Sequence, residues 1–336
     1  MTRPGARASW RRWAVVMALA VPVRGDAAAA VQRAFHVSYI ARIAGLPAGA
    51  KHIQIWVPLA TSRDGQQILR RTIQAGVPYD VDKDPIYGND ILHAALTPPV
   101  PATLELQVEY DALVEGGNRL ADAPADAASL PPGVQTMYLR AERLTVIDDQ
   151  VRRMAAEATR GRATTVERAR AIYECVIRHM QYDKQMPGWG RGDVVRACAV
   201  GKGNCTDFHS LFIAMARAAG IPARFKIGAT VPSDAATSTF GYHCWAEFYV
   251  PERGWIPVDA SEAWKHPERL DEYFGTEDMN KLTVSVGRDL RLAPAQQGEP
   301  VNIFIRPYVE VDGRPFDGVE MQFQWRSESA QPGGTV

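Results

Sequence analysis

Three residues have the types and the sequence settings that thiol-dependent acyl transfer requires, and the first is Cys205. It follows Gly203-Asn204 and opens an apolar segment with helical periodicity, for which Asn204 is the expected N-cap. The positive end of a helix dipole stabilises a thiolate and lowers the pKa of a thiol placed there. Unpaired N–H groups at the same helix end could stabilise an oxyanion. This position therefore predicts a nucleophilic cysteine.

A thiolate also needs a base that returns the proton to the leaving group, and His243 is the candidate. It lies on a predicted strand over residues 243–250, on the same face as Trp245. A hairpin turn then brings the chain back to Asp259. With a three-residue loop Asp259 falls opposite Trp245 and diagonal to His243, whereas a two-residue loop places it on the wrong face. The predicted triad therefore requires the odd-numbered loop, or a bulge at Gly254.

Two competing interpretations involve the neighbouring side chains of His209 and Cys244. His209 lies one helical turn after Cys205 and is a rival base, although we interpret it as a buried histidine beside the site. Cys205, His209, His243 and Cys244 could also supply a zinc site. However, His243 and Cys244 point to opposite faces of one strand, which makes shared coordination awkward. We therefore predict neither a metal nor an organic cofactor.

The remaining cysteines decide whether a disulfide is expected. Cys175 lies beside the apolar stripe of a predicted helix and Cys244 faces the predicted core, so both are interpreted as small buried apolar residues. If Cys205 is a free nucleophile, three cysteines remain and at most one disulfide can form. Cys198 is the expected participant in that bond.

The elements that must hold these residues divide the chain into a β-rich part and an α+β part. Residues 31–115 alternate apolar and polar residues between Gly-, Pro- and Asp-rich turns, which predicts an all-β sandwich. Residues 116–133 have few large apolar side chains and are predicted to be a linker. Residues 134–330 begin with helical stripes, including a capping box at Thr164 and Glu167, and continue with strands. Helices first and antiparallel strands later indicate an α+β domain with a C-terminal β extension.

The order Cys205, His243, Asp259, at separations of 38 and 16 residues, resembles the transglutaminase-like superfamily of papain-like cysteine enzymes. The resemblance covers roughly residues 165–265 and includes the stretches at 170–173, 182–183, 216–224 and 254–255. It implies a papain-like α+β core preceded by the β-sandwich. It also implies that Cys205 is the nucleophile, His243 the base and Asp259 the residue that orients the imidazole.

The first thirty residues have the pattern of a secretory signal peptide. Four arginines precede an apolar run over residues 13–23, and a small-residue zone follows at 26–30. The run is shorter than the roughly 20 residues that a membrane-spanning helix needs. We therefore expect a periplasmic or secreted protein with no stable membrane insertion after residues 1–30 are removed.

The balance of charged residues argues against a nucleic-acid partner. The chain has 38 Lys and Arg against 38 Asp and Glu, so its formal net charge is zero. Nucleic-acid binders usually carry a basic excess, which is absent here. The expected partner is instead a protein or peptide substrate.

The sequence as a whole predicts thiol-dependent acyl transfer on a protein or peptide amide. Water acting on the acyl-enzyme would make the protein a peptidase or amidase, and a lysine amine would make it a cross-linking transglutaminase; we favour hydrolysis. The alternative from another class is a binding module that keeps the cleft without turnover. Loss of a triad residue would favour that alternative, and all three residues are present.

Overall fold

A computed structural model describes residues 31–97, 99–121, 130–231, 237–251 and 253–326, with the side chains of 237–240 and 326 left aside. The predicted signal peptide lies outside the described residues. In the described ranges, no helix is both long and apolar enough to cross a membrane. The mixture of helices and antiparallel strands confirms the predicted α+β class.

The amino-terminal part consists of strands that form the centres of two antiparallel sheets. These strands are β1 (Val31–Ala44), β2 (Ile53–Leu59), β3 (Gln66–Gln74), β4 (Asp80–Lys83), β5 (Asp90–Leu96) and β6 (Thr103–Asn118). In one sheet β1 pairs with β6, and in the other β2 pairs with β5. The predicted alternation holds along β6, where every second residue from Leu104 to Val114 is buried.

Strands from the far end of the chain complete both sheets. They are β15 (Tyr308–Val311), β16 (Arg314–Pro315) and β17 (Val319–Arg326). β17 pairs along β1, and β15 pairs along β2. Residues 31–115 therefore do not close the sandwich alone, because part of the predicted C-terminal β extension lies within it. The boundary between 31–115, 116–133 and 134–330 as separate domains stays a prediction.

Helices occupy the middle of the chain and surround one buried helix. They are α1 (Pro132–Met137), α2 (Asp149–Ala158), α3 (Thr165–His179), α4 (Val194–Val200), α5 (Cys205–Ala218) and α6 (Ala260–Lys265); a two-stranded pair, β7 (Gln181–Tyr182) and β8 (Lys202–Gly203), lies between them. The capping box that starts α3 is present as predicted. Every residue of α5 from Cys205 to Arg217 is buried, so even its polar face is covered.

A four-stranded antiparallel sheet packs against α5, and we call it the site sheet. Its order is β12 (Gly254–Val258), β11 (Tyr242–Val250), β9 (Ala223–Thr230) and β14 (Lys281–Val286). Two shorter strands, β10 (Thr237–Phe240) and β13 (Thr276–Glu277), join the sheet of β1 instead. Val250 pairs with Gly254, so the β11–β12 hairpin has the three-residue loop that the triad required. Gly254 has φ of +80°, which suits glycine at the end of this turn.

The other face of the site sheet is polar and is covered by the amino-terminal part. Arg224 on β9 contacts Asp64 at 2.6 Å and Glu247 on β11 at 2.5 Å; the side chains of Arg224 and Glu247 are buried, and that of Asp64 is partly exposed. Gln66 exchanges hydrogen bonds with the backbone of Thr283, at 2.9 and 2.7 Å. Removing one partner of a buried ion pair costs about 3–5 kcal/mol. The amino-terminal part is therefore an integral support of the site sheet.

Candidate active site

Cys205 is the first residue of α5, at the end where the helix dipole is positive. The Asn204 side chain accepts a hydrogen bond from the Thr206 N–H at 2.9 Å, and the Asp207 carboxylate accepts one from the Asn204 N–H at 3.0 Å. The Asn204 side chain also accepts from the Asp207 N–H, which completes a capping box and fixes the start of the helix. The N–H of Cys205 itself has no acceptor inside the helix. The same residue thus carries the thiol and an N–H that the helix itself does not use.

Asp207 holds a glycine-rich loop over this helix end. Its carboxylate also accepts hydrogen bonds from the N–H groups of Gly190 at 2.7 Å and Gly192 at 3.0 Å. Gly192 has φ of +64°, and a Cβ there would lie 2.4 Å from the Ser210 hydroxyl, so only glycine fits. Asp207 is fully buried and holds this loop beside Cys205.

His243 stands between Cys205 and Asp259. Its Nε2 lies 2.7 Å from Asp259 Oδ2, and its side chain hydrogen-bonds the Cys205 thiol. Burial alone would lower the pKa of His243, but the charge of Asp259 and the contact with Cys205 outweigh it and raise the pKa to about 10. The imidazolium is therefore the favoured form while the thiolate is present. The structure brings the three predicted residues together in the order that acyl transfer needs.

The thiol of Cys205 is poised as a thiolate. A hydrogen bond from the neighbouring Cys244 thiol and the contact with His243 lower the pKa of Cys205 well below its ordinary value, although burial opposes this. The pKa of Cys244 moves upward, since its thiol is buried beside that thiolate. Cys244 is thus a protonated hydrogen-bond donor to the nucleophile. Sequence reasoning placed it on the helix-facing side of β11 but assigned it only packing.

Asp259 is the N-cap of α6 and is held from several directions. Its Oδ1 accepts hydrogen bonds from the Glu262 N–H and the Ser261 hydroxyl, both at 3.1 Å. Its Oδ2 faces His243 and also accepts from Lys281 Nζ at 2.6 Å. Burial would raise the pKa of Asp259, but Lys281 and His243 lower it well below the ordinary value. The carboxylate therefore stays ionised and fixed beside the imidazole.

Lys281 contacts Asp259, and the sequence did not predict it as a residue of this site. It is the first residue of β14 and is 7% exposed. A buried lysine needs a partner, and its place at the start of an apolar strand was the available signal. The partner could not be named, because β14 reaches the site only by pairing with β9.

His209, the rival base, contacts the triad at Asp259, where its Nε2 lies 3.5 Å from Oδ1. Its Nε2 accepts a hydrogen bond from the Ala260 N–H at 3.0 Å, and its Nδ1 lies 3.8 Å from the Cys244 sulfur. The ring is fully buried. His209 is therefore placed to support α6 and Asp259, whereas the imidazole that hydrogen-bonds the Cys205 thiol is that of His243.

The other cysteine and metal hypotheses have these outcomes. Cys175, Cys198, Cys205 and Cys244 are all free thiols, so the disulfide allowed for Cys198 does not form in the structure. Among the residues described above, no three His, Cys, Asp or Glu side chains are grouped to hold a metal ion. The absence of a metal or cofactor stays a prediction.

A cavity of about 730 Å³ adjoins the site. His243, Trp245, Asp259 and Lys281 line one wall. Carboxylates dominate the rest of its charged lining, which comprises Glu262, Glu272, Glu277 and Asp278 together with His266 and Arg269. The Trp245 and His243 rings stack with centroids 6.3 Å apart. A molecule in this cavity would contact the imidazole that hydrogen-bonds Cys205.

Part of the chain matches a known family in sequence. Residues 152–260 match the family model described as the transglutaminase-like superfamily. An uncharacterised protein of Haemophilus influenzae is 30% identical over 227 residues, which are 57% of this chain and 62% of that relative.

A solved structure shows a similar fold. One from Cytophaga hutchinsonii, described as a candidate cysteine protease, aligns with 91% of this chain and 96% of its own at 14% identity and a TM-score of 0.59. The periplasmic domain of TgpA from Pseudomonas aeruginosa aligns with 68% of this chain and 92% of its own at 18% identity and a TM-score of 0.35.

Proposed function

Residues 152–260 carry the core of the transglutaminase-like superfamily, and from this premise we propose that the protein is a thiol-dependent acyl-transfer enzyme whose nucleophile, base and orienting residue are Cys205, His243 and Asp259. The observation that carries the proposal is the continuous contact from Cys205 through His243 to Asp259. Perturbed pKa values of a thiol and an imidazole in contact, beside a cavity, are typical of a catalytic pair.

Acylation follows from the positions of these groups. The Cys205 thiolate attacks the carbonyl carbon of an amide, and the oxyanion that forms is stabilised by the N–H of Cys205 at the start of α5. The imidazolium of His243 gives its proton to the nitrogen of the leaving amine as the C–N bond breaks. The products are a free amine and a thioester on Cys205, with His243 now neutral. Asp259 keeps the ring oriented throughout.

Deacylation reverses the proton transfer. Neutral His243 takes a proton from water as the water oxygen attacks the thioester carbonyl, and the thiolate leaves, which releases a carboxylic acid. The cavity supports hydrolysis, because its polar, carboxylate-rich wall admits water beside His243. We propose that the substrate is a protein or peptide amide. The signal-peptide pattern of residues 1–30 supports action in the periplasm or outside the cell.

Hydrolysis and cross-linking are separated by offering both acceptors at once. The protein is incubated with glutamine-containing peptides and a fluorescent primary amine, and products are resolved by mass spectrometry. We expect glutamate or cleaved peptide to exceed the amine conjugate at least several-fold, because the carboxylate-rich cavity admits water beside His243, the base that activates it. Conjugate as the main product, absent with Cys205→Ala, would instead establish transamidation. Products of either kind that persist in Cys205→Ala would contradict acyl transfer by this thiol.

A further inference from the structure

Lys281 contacts the proposed triad, yet the steps above do not use it. Its Nζ lies 2.6 Å from Asp259 Oδ2, and the same oxygen lies 2.7 Å from His243 Nε2. Asp259 is 3% exposed and Lys281 is 7% exposed. One buried carboxylate oxygen therefore has two cationic partners. His243 must lose its charge in every turnover, whereas Lys281 keeps it.

The charges beside Asp259 change during the catalytic cycle, and this change gives the Lys281–Asp259 contact a role. A buried carboxylate without a counter-charge is strongly destabilised. If His243 were the sole cation beside Asp259, release of its proton would leave such a carboxylate. We propose that Lys281 is a positioning residue that keeps Asp259 paired throughout the cycle and thereby eases proton transfer from His243 to the leaving amine. This inference rests on the proposed acyl-transfer function.

The charged surroundings keep Lys281 protonated. Burial would lower the pKa of Lys281, but the carboxylates of Asp259, Asp278 and Glu277 outweigh it and raise the pKa. Other titratable groups that face this cluster come from several elements: Cys205 and His209 on α5, Cys244 on β11, Tyr173 on α3, Tyr273, and Lys226 on β9. A fixed positive charge beside Asp259 opposes the imidazolium. Removing that charge should therefore raise the pKa of His243 further and make it a weaker acid.

The leaving group distinguishes this role from a merely structural one. An alkyl amide needs a proton from His243 to depart, whereas a p-nitrophenyl ester with the same acyl group does not. For Lys281→Gln we expect kcat on the amide to fall on the order of tenfold while acylation by the ester stays within about twofold. The alkaline limb of kcat/KM on the amide should move to higher pH. Lys281→Arg should restore both readouts. If the glutamine variant fails to fold, Lys281→Met takes its place, and we expect the same loss on the amide and the same shift of the alkaline limb.

Lys226 offers a matched control. It is also buried on the same face of the site sheet, with its Nζ 5.7 Å from the Trp245 ring centroid against 5.2 Å for Lys281. It pairs with Glu247 at 2.9 Å, not with Asp259. Lys226→Gln should therefore leave the amide-to-ester ratio and the alkaline limb as in the unmodified protein, whatever its thermal stability.

The outcomes separate this inference from the proposed function. Equal losses on amide and ester in Lys281→Gln, failure of Lys281→Arg to restore them, or the same altered ratio in Lys226→Gln would overturn the role of Lys281. Ester acylation at Cys205 would in those cases still uphold the proposed function. If the unmodified protein is not acylated at Cys205 at all, the proposed function fails and this inference fails with it.

Discussion

Replacing Cys205 with alanine is expected to abolish acyl transfer, with a loss of at least about 10⁴-fold in kcat, because the variant has no atom that can form the thioester. The side chain is small and 3% exposed, so its removal should leave the fold intact. The measurement is the burst of p-nitrophenol released from a p-nitrophenyl ester, together with the mass of the acylated peptide that contains residue 205. Circular dichroism confirms that the variant is folded.

Cys198→Ala is the matched control for this loss. Cys198 is also a buried free thiol, but it lies on α4, and burial raises its pKa to about 11. That variant should retain the burst and the acylated peptide. A burst that survives in Cys205→Ala, or one that disappears in Cys198→Ala with the fold intact, would contradict the assignment of the nucleophile.

Replacing His243 with alanine is expected to lower kcat/KM on an amide by on the order of 10²-fold or more. The loss has two causes: the thiolate loses its cationic partner, and the leaving amine loses its proton donor. The pKa of Cys205 should rise towards its ordinary value in this variant, because contact with His243 is one of the interactions that lower it. The measurement is the amide rate over a range of pH.

His209→Ala separates the two histidines. This change leaves the Ala260 N–H without its acceptor, which costs about 1–3 kcal/mol of stability. We expect a lower melting temperature but activity per folded molecule within a few-fold of the unmodified protein. If His209→Ala loses as much activity as His243→Ala while it remains folded, then the base has been assigned to the wrong residue.

The helix-end position of Cys205 and the placing of Asp259 beside His243 could be predicted because their signals are local. The N-cap and the apolar stripe of α5 identify the position of Cys205 without reference to any other part of the chain. The β11–β12 hairpin is also local, and its three-residue loop fixes the side of the sheet on which Asp259 falls. Each of these inferences spans fewer than about twenty residues, a range in which turn length and periodicity decide the geometry.

The residues that were missed depend on pairings between distant segments. Lys281 meets Asp259 only because β14 lies beside β9 in the site sheet, and a single sequence contains no signal for that choice of neighbour. The same reason explains why β17 was not placed beside β1. Cys244 was assigned to the correct side of β11, but its contact with Cys205 depends on how far α5 slides along the sheet. Periodicity predicts faces, and only packing sets such offsets.

The central claim is that Cys205 exists as a thiolate paired with the imidazolium of His243. The most direct test is the thiolate absorbance near 240 nm, titrated with pH and taken as the difference between the unmodified protein and Cys205→Ser. The pKa of Cys205 lies well below its ordinary value, so the absorbance should be fully developed at pH 7, far below the midpoint of about 8.5 of an unperturbed thiol. A midpoint at or above that ordinary value would contradict the ion pair and, with it, the proposed mechanism.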